Sequence, residues 1–365
     1  MTHVNATLLR PAYDPFSLAA SAVSVGSLAR RERTLYPPSQ HTSTMDAAVV
    51  AENVTKQYGD TVAVDDVSLS VPAGTVFGLI GPNGAGKTSL VRCLTGTTDS
   101  TGEVSLLGSE PTHVERARIG LLPQSFSPPE RLTVRELLGY YANLYDEARD
   151  VDSVLSEVGL DDAADTWYEE LSGGQQRRAC VGITLVNDPD VLFLDEPTTG
   201  IDPTGRRDLW TLIEDLTAEG TTVFLTSHSM DEVERLADQV AMLADGRVIA
   251  EGTPGALVAE HGGDSRLVVR TEASADRLAD TEFRVEASAG RLTFHGVDAT
   301  RIDDAVDALT TAGIEYESFT WTEPTLEDVY LELTGRAFRG GPASGSAGEQ
   351  ASAPQPDAEP AEVER

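Results

Sequence analysis

The hydrophobic positions in the middle of the chain predict buried strands that alternate with helices. Continuous apolar runs at Val76–Ile80, Val191–Leu194 and Thr222–Thr226 are typical of strands that are buried on both faces. Helical periods follow the second and third runs, at Arg206–Ala218 and Met230–Ala237. Strands that alternate with helices in this way predict an α/β fold with a mostly parallel sheet.

Polar residues follow each of these buried runs. The first run leads into a glycine-rich turn, the second ends in Asp195 and Glu196, and the third ends in Ser227 and His228. In a parallel sheet the carboxyl ends of the strands lie at one edge, and ligands bind just beyond that edge. The sequence therefore predicts that the polar clusters meet at a single ligand site.

Short β-type runs flank this part of the chain on both sides. Ala48–Val54 and Val62–Val71 precede it and are separated by a turn that contains Gly59. After Gly262, further short runs predict a small α+β domain, for which a ferredoxin-like arrangement is one candidate. Its predicted strands are Ser265–Arg270, Glu282–Ala287, Arg291–His295 and Ile314–Trp321, and its predicted helices are Ile302–Ala312 and Thr325–Leu333.

The two ends of the chain show no sustained hydrophobic period. Residues 1–45 contain several prolines and many Ser and Ala, and residues 336–365 form an acidic tail of Pro, Ala and Gly, so we predict that both are disordered. Between them we expect a large α/β domain at residues 46–262 and the small α+β domain at residues 263–335. Met45 precedes the first periodic run, and a natural start there instead of at Met1 is a hypothesis.

The chain is strongly acidic, with 27 Lys and Arg against 60 Asp and Glu and a formal net charge of −33. Such a charge repels nucleic acid and anionic lipid. We therefore do not expect nucleic acid as a partner. Adaptation to a cytoplasm of molar salt would explain it, because at about 1 M salt the Debye length falls to ~3 Å and self-repulsion is screened. Simple solubility is the alternative, and we favour adaptation to salt, that is, a halophilic protein.

The apolar residues exclude two other classes of protein. No stretch approaches the roughly 20 consecutive apolar residues of a membrane span, so any role at a membrane requires a partner. Cys93 and Cys180 lie among apolar residues in predicted helices, which favours small buried side chains over reactive thiols. Two cysteines in a chain of this length do not form a disulfide framework.

Residues 81–88, with the sequence GPNGAGKT, match the phosphate-binding pattern G-x-x-x-x-G-K-[ST]. The glycines allow backbone N–H groups to converge on phosphates, and the helix that follows adds its dipole. Lys87 would place a positive charge on the β- and γ-phosphates, and the Thr88 hydroxyl would bind Mg²⁺. The predicted nucleotide-binding residues of this P-loop are Gly81, Pro82, Asn83, Gly84, Ala85, Gly86, Lys87, Thr88 and Ser89.

The buried run that ends in Asp195 and Glu196 has the form of a Walker B strand. Asp195 would hold Mg²⁺, and Glu196 would orient or deprotonate the attacking water. On its own, an Asp-Glu pair after a strand is more often a helix start or a solvated turn. Its pairing with a P-loop favours the catalytic interpretation.

Residues 171–175, with the sequence LSGGQ, lie between the P-loop and the Walker B strand, and this segment resembles the signature of ABC ATPases. The resemblance extends over about residues 49–255. It implies that Glu196, His228, Gln124 and Lys87 are catalytic and that Thr88, Gln124 and Asp195 are metal ligands. It further implies an adenine-stacking role for Tyr58, a contact with the γ-phosphate for His228, and a D-loop position for Asp202.

The same resemblance implies a P-loop NTPase fold with a helical subdomain at about residues 125–180 and an antiparallel edge β-subdomain. ATP and Mg²⁺ are the implied cofactors. ATP would bind between two such domains arranged head to tail, with Ser172, Gly173, Gly174 and Gln175 of one subunit at the nucleotide of the other. The chain carries one cassette, so a second subunit is needed, and we expect a homodimer.

The segment Glu323–Gly335 resembles the ending of exporter-type ABC ATPases, the antibiotic- and lipid-export group. It implies an ATPase that drives export through a separate membrane permease and lies in the cytoplasm at the inner face of the membrane. The transported substrate, the direction of transport and the role of the small C-terminal domain stay open.

The main alternative is a soluble ABC ATPase of DNA repair or translation. Repair relatives carry long coiled coils within the cassette, and none interrupts residues 124–171. Translation relatives usually carry two cassettes in one chain. A nucleotide-binding regulator without activity is a further alternative, and the presence of both Glu196 and His228 argues against it.

Overall fold

The computed structural model describes residues 47–279 and 281–335. The predicted disorder at residues 1–45 and 336–365, and the hypothesis of a start at Met45, lie outside the described residues. Within the described ranges, no helix combines the length and the apolar character that a membrane crossing requires.

The described residues form thirteen strands and nine α-helices. The strands are β1 (Ala47–Tyr58), β2 (Thr61–Pro72), β3 (Val76–Ile80), β4 (Thr101–Leu106), β5 (Ile119–Leu122), β6 (Val191–Asp195), β7 (Thr222–Ser227), β8 (Gln239–Ala244), β9 (Arg247–Gly252), β10 (Arg266–Arg270), β11 (Arg284–Ser288), β12 (Arg291–His295) and β13 (Ser318–Thr322). The helices are α1 (Lys87–Leu94), α2 (Val134–Ala142), α3 (Val151–Glu157), α4 (Gly173–Leu185), α5 (Pro203–Ala218), α6 (Met230–Leu236), α7 (Pro254–His261), α8 (Ile302–Thr311) and α9 (Leu326–Thr334).

A six-stranded sheet of order β5-β6-β7-β3-β8-β9 forms the centre of the fold. Its neighbouring strands are parallel except for the β8–β9 pair. The three apolar runs of the sequence are the adjacent strands β6, β7 and β3, and every residue in them is buried. The prediction of an α/β fold with a mostly parallel sheet is confirmed.

The side chains of the central strands alternate between two hydrophobic clusters, because successive residues of a strand point to opposite faces. In β6, Leu192 and Leu194 face a cluster shared with α2 to α5. Phe193 faces the other cluster, where β1, β2, β4 and α1 cover the sheet. There the ring of Phe224 lies 5.4 Å from that of Phe193 and 5.5 Å from that of Phe77.

Three strands of the first half form a separate antiparallel sheet of order β2-β1-β4. Val49, Val54, Val67 and Val71 of β1 and β2 are fully buried in the cluster that also holds Phe77 of β3. The antiparallel sheet therefore packs against the strand that leads into the P-loop.

Residues 263–335 hold a third, four-stranded antiparallel sheet of order β11-β12-β10-β13. The elements follow one another as in a ferredoxin-like unit, which has the order β-α-β-β-α-β. Here α8 connects β12 to β13, and a short 3-10 turn at Ala275–Leu278 stands in place of the first helix, between β10 and β11. A hydrophobic cluster of its own includes Leu267, Phe294 and Leu309. The predicted strands and helices of this unit are confirmed, with one correction to the last strand.

The predicted strand Ile314–Trp321 begins only at Ser318. Ile314 instead belongs to the turn that follows α8: its N–H donates to the Leu309 carbonyl at 2.9 Å and its side chain is buried in one cluster with Ala305 and Leu309 of that helix. The apolar character of Ile314 thus reflects the helix core and not a strand.

The last helix, α9, packs against the first part of the chain. Its residues Leu326, Val329 and Tyr330 are buried in one cluster with Met230 and Val233 of α6. The N–H of Leu326 donates to the Glu234 carboxylate, also on α6. The C-terminal helix therefore contacts the helix that directly follows His228.

Candidate functional site

The turn between β3 and α1 requires glycine at two positions. A Cβ on Gly86, which has φ of +109°, would lie 2.2 Å from the carbonyl oxygen of Ala63. A Cβ on Gly81 would lie 2.4 Å from the carbonyl oxygen of Leu243. Gly84 has φ of +84° and faces open space. Gly81 and Gly86 therefore let the turn pack closely against β8 and β2, while the backbone at Gly84 stays open.

Lys87, the first residue of α1, is only 5% exposed. Its ammonium donates a hydrogen bond to the Gly81 carbonyl at 2.8 Å and lies 3.2 Å from Glu196 Oε1. A buried ammonium is unfavourable unless it is paired and hydrogen-bonded, and both conditions hold here. The positive charge is thus fixed at the start of the helix.

The carboxylate of Glu196 is the point at which the predicted catalytic residues meet. Its Oε2 accepts hydrogen bonds from Gln124 Nε2 at 3.0 Å and from Thr199 Oγ1 at 3.2 Å. His228 Nδ1 lies 3.2 Å from the same oxygen, at ion-pair distance but without hydrogen-bond geometry. Lys87, Gln124 and His228, predicted on three separate segments, therefore surround one carboxylate.

The backbone of Glu196 adopts the left-handed region, with φ of +48°. Such a conformation is unfavourable for a residue other than glycine and occurs where the surrounding structure enforces it. The Glu196 N–H donates to Thr226 Oγ1 at 3.0 Å and to the Thr226 carbonyl at 3.1 Å. Thr226 Oγ1 in turn donates to Asp195 Oδ1 at 2.5 Å, so one residue of β7 holds the backbone of Glu196 and the side chain of Asp195.

Two opposing effects act on the ionisation of Glu196. Burial alone would raise its pKa, but the neighbouring Lys87 ammonium, together with His228 and the Thr199 hydroxyl, lowers the pKa below the ordinary value for a glutamate. The carboxyl group is therefore ionised at neutral pH and can accept a proton or a hydrogen bond.

A cavity of about 280 Å³ opens at the turn and at Glu196. Backbone N–H groups at a helix start, together with a buried ammonium, are the chemistry that binds phosphate groups. The phosphate groups of a nucleoside triphosphate could accept hydrogen bonds from these donors. The lining residues are Ala63, Asn83, Gly84, Gly86, Lys87, Thr88, Ser89, Gln124 and Glu196.

Tyr58 lies at the end of β1 and is 43% exposed. The ammonium of Lys56 stands over its ring, 5.0 Å from the centroid. The ring is outside the lining of the cavity, so the structure places the predicted adenine-stacking residue near an open surface.

The signature residues occupy the start of α4. Ser172 caps this helix: its hydroxyl accepts from the Gln175 N–H at 3.2 Å, and the Gln175 side chain accepts from the Ser172 N–H at 3.0 Å. A Cβ on Gly174 would lie 3.0 Å from the Cα of Gly205 and 3.5 Å from Asp202 Oδ1. The signature therefore packs against the D-loop and the start of α5, and residues 172–175 take no part in the lining described above.

Comparison with known proteins decides the family. The profile of the family described as "ABC transporter" matches residues 64–199. The chain is 39% identical over 306 residues to the daunorubicin resistance ATP-binding protein DrrA3 of Streptomyces coeruleorubidus, with coverage of 80% of this chain and 96% of that protein. The chain belongs to the ABC transporter family of ATPases. A Nod factor export ATP-binding protein I of Rhizobium meliloti is 36% identical and matches 84% of this ABC ATPase and 92% of its own length.

Solved structures agree with this family. A nucleotide-free ATP-binding cassette from an ABC transporter aligns with a TM-score of 0.52 at 29% identity, over 57% of this ABC ATPase and 91% of that chain. The ADP conformation of another ABC transporter cassette aligns with a TM-score of 0.53 at 28% identity, over 59% and 94%. The expected P-loop NTPase fold is thereby confirmed.

Several residues around the site were missed by sequence reasoning. Ala63 lines the cavity, Thr199 and Thr226 bind the acidic residues, and Arg177 donates to the carbonyl oxygens of the Walker B segment. The signal for Thr226 was a polar residue within an apolar strand, two positions before His228. Thr199 lies only three residues after Glu196, so its nearness along the chain was a signal. Ala63 and Arg177 offer none, because they reach the site from segments that only the fold brings near.

Proposed function

We propose that this chain is the ATP-hydrolysing subunit that drives a separate membrane permease, in the direction of export. The observation that carries the proposal is the meeting of Lys87, Gln124 and His228 at the Glu196 carboxylate, beside a cradle with phosphate-binding chemistry. The names of its relatives, a drug resistance protein and Nod factor export proteins, support export over the alternative of a soluble ATPase of DNA repair or translation.

In the proposed reaction the P-loop backbone and Lys87 bind the phosphates of ATP. Glu196 is ionised and accepts a proton from the attacking water, while Gln124 and His228 orient the water and the γ-phosphate. Phosphoryl transfer of this kind depends on positioning and on charge stabilisation more than on covalent chemistry. The water oxygen bonds to the γ-phosphorus as the bond from that phosphorus to the bridging oxygen of ADP breaks. Glu196 then gives its proton to the released phosphate or to solvent, and ADP and phosphate leave the site.

Thr88 and Asp195, with Gln124, would hold Mg²⁺. Hydroxyl, carboxylate and amide oxygens are the ligands this ion prefers, and Asp195 is nearly fully buried at the end of β6 beside the cradle. The bound ion would supply positive charge that offsets the charge of the phosphates. The hydrogen bond from Thr226 Oγ1 fixes the orientation of the Asp195 carboxylate.

We propose a homodimer in which two copies face each other head to tail. A cavity of about 280 Å³ lies at the lower limit of ligand pockets, which span roughly 300–1,000 Å³, so one chain encloses only part of an ATP molecule. Ser172 and Gly173 are exposed and present a hydroxyl group and the N–H groups of a helix start. In the proposed dimer these groups bind the γ-phosphate of the nucleotide held by the partner.

The helical segments between Gln124 and the signature are the proposed contact with the permease. Large apolar side chains are exposed there, with Tyr140 at 55%, Leu144 at 48% and Trp167 at 47%. Exposed aromatic side chains are enriched at protein interfaces. We propose that the chain is held at the inner face of the cell membrane through them.

Purification of the full chain from its native cells in mild detergent tests the proposed partner. We expect an integral membrane protein to be recovered with the wild type and to be lost from a Tyr140→Ala, Trp167→Ala double variant. Leu331→Ala, an exposed apolar residue on α9, is the control and should retain the partner. Recovery of ribosomes or DNA instead of a membrane protein would contradict the proposal.

We propose that residues 46–262 act as the ATPase domain and residues 263–335 as an accessory domain. The accessory role is dimer contact or regulation, with a passive cap as the alternative. Because α9 packs on α6, removal of residues 264–335 would expose Met230 and Val233. ATPase and dimer measurements on this truncation therefore need the companion change of both residues to polar side chains.

We also propose that the net charge of −33 is an adaptation to molar salt. At about 1 M salt, charges separated by more than ~3 Å are screened from one another. We therefore expect thermal unfolding at a markedly higher temperature in roughly 2–3 M KCl than in dilute buffer, because the salt screens the repulsion between the acidic side chains. Full stability in dilute buffer would count against adaptation to salt.

A further inference from the structure

The guanidinium of Arg177 has an unusual set of partners. Its Nε donates to the Pro197 carbonyl at 2.7 Å, and its Nη2 donates to the carbonyls of Asp195 at 3.2 Å and Glu196 at 3.1 Å. Among the described residues, no carboxylate lies within ion-pair distance of it. Arg177 is partly buried, and this burial lowers its pKa relative to the ordinary value.

A partly buried cation without an ion pair is unfavourable unless it is hydrogen-bonded, and here three backbone carbonyls accept its hydrogen bonds. The three carbonyls it binds belong to consecutive residues, and the middle one is Glu196. Thr226 holds the N–H of Glu196 from the opposite side. Arg177 thus binds the peptide groups on both sides of the Glu196 Cα, and Thr226 also holds the first of these groups. These bonds restrain the backbone at the left-handed φ of +48°, with the carboxylate beside Lys87 and Gln124.

The signature lies at the start of the same helix, a little more than one turn before Arg177. Arg177 lies five positions after Ser172, within α4, whose first residues are Gly173 and Gly174. An α-helix rises only 1.5 Å per residue, so the backbone of Arg177 and that of the capping residue Ser172 are about 7.5 Å apart along the axis of one helix. A displacement of the cap is thus transmitted directly to the carbonyl of Glu196.

We infer that Arg177 is a positioning residue that links the signature helix to the catalytic carboxylate of the same chain. The inference rests on the proposed function, in which Glu196 acts on the chain's own ATP and Ser172 contacts the ATP of the partner. Arg177 then connects the two nucleotide sites of the dimer: occupation of one site at the signature sets the position of Glu196 at the other.

The next residue, Arg178, provides a matched control. It lies on the same helix and also donates to carbonyl oxygens, those of Val158 and Gly159, both at 3.1 Å. It further pairs with Asp208 at 3.6 Å. Arg178 therefore shares the helix, the charge and the type of partner, but it has no contact with the Walker B segment.

The test compares Arg177→Lys with Arg178→Lys in the full chain. Lysine keeps the charge but lacks the planar fork that reaches several carbonyls. Arg177→Lys is expected to lower kcat about 10- to 100-fold, the scale for a catalytic group misplaced by a fraction of an ångström to one ångström, with ATP affinity and KM nearly unchanged. Arg178→Lys is expected to leave kcat near the wild-type value.

A second measurement separates positioning from general damage. In a Glu196→Gln background, Arg177→Lys should have little further effect on kcat, because the group that it positions is already absent. Full additivity of the two losses, or wild-type kcat in a folded Arg177→Lys variant, would overturn the inference. If the lysine variant does not fold, Arg177→Gln, which retains an amide donor, is measured in its place. Unchanged turnover in Glu196→Gln alone would instead overturn the proposed function.

Discussion

The catalytic pocket and the signature surface are built in opposite ways. In the pocket, Lys87 and Glu196 are 5% and 6% exposed, and their charges are paired with each other. At the signature, Ser172 and Gly173 are exposed and carry no charge, and the cap bonds stay within residues 172–175. The pocket is therefore preorganised within one chain, whereas the signature presents a hydroxyl group and the N–H groups of a helix start at the surface.

This difference indicates which groups a single chain can provide and which a second chain can supply. Charged groups need a buried environment and fixed partners, and a single chain can provide both. The N–H groups of a helix start bind an anion without prior pairing, so they can be brought to the nucleotide by a second molecule. Changes in the pocket should accordingly affect each chain alone, and changes at the signature should act across the dimer.

The largest effect is expected from Glu196→Gln. The amide cannot accept the proton of the attacking water, so hydrolysis should fall by about 10²- to 10⁴-fold while ATP binding is kept. Steady-state turnover and equilibrium ATP titration measure the two quantities. Thr199→Ala, which removes a neighbour of the carboxylate but not the carboxylate itself, serves as the control and should lose far less. Wild-type turnover in Glu196→Gln would refute the role of this residue.

A smaller effect, on binding, is expected from Lys87→Ala. Removal of a buried charge that contacts the ligand typically costs about 2 kcal/mol or more, which corresponds to roughly 30-fold weaker ATP affinity. Removal of the ammonium also raises the pKa of Glu196, because Lys87 is the main group that lowers it. Thermal unfolding without nucleotide checks that the fold is retained. An unaltered ATP affinity in a folded variant would show that Lys87 does not bind the phosphates of ATP.

The smallest effect is expected at the signature, from Ser172→Ala in the isolated chain. Loss of the helix cap should lower the free energy of unfolding by about 1 kcal/mol and leave ATP binding by that chain unchanged. Ser229→Ala is the matched control, because Ser229 begins α6 without a side-chain cap bond. Urea unfolding and ATP titration test both variants. A clear loss of ATP affinity in monomeric Ser172→Ala would break the distinction between the two regions.

The local parts of the site could be predicted from the sequence. The P-loop, the Asp195-Glu196 pair and the signature each lie within a few consecutive residues, so their spacing alone carries the chemistry. The buried apolar runs likewise predicted β3, β6 and β7 to within two residues, because strands buried on both faces leave a continuous pattern.

What depends on packing between distant segments could not be predicted. Glu232, within the predicted helix Met230–Ala237, is fully buried and accepts hydrogen bonds from Ser227 and Trp210, two partners that its place in the sequence does not indicate. The contact of α9 with α6, the late start of β13 and the partners of Arg177 have the same origin. Each depends on which faces meet in the fold, and no residue spacing records that information.

The division between the two regions is tested most directly by mixing two inactive variants. Lys87→Ala disables the pocket. Gly173→Asp places a negative charge at the signature, with room in its own chain, since a Cβ there would lie 3.9 Å from its nearest neighbour, the Gly200 carbonyl. A carboxylate at a helix start also favours the helix, so the fold should be retained while the partner's phosphate is repelled.

At ATP concentrations far below those that saturate Lys87→Ala, each variant alone should be nearly inactive, and a mixture in equal amounts should recover up to about a quarter of wild-type turnover. About half of the randomly formed dimers would contain one intact site of two, and the coupling through Arg177 makes this fraction an upper limit. The control mixture of Lys87→Ala with Glu196→Gln carries both changes in the pocket and should stay inactive. Recovery in the first mixture and none in the second is the predicted result. No recovery in the first mixture, with dimers present, would contradict the assignment of pocket and signature to different chains.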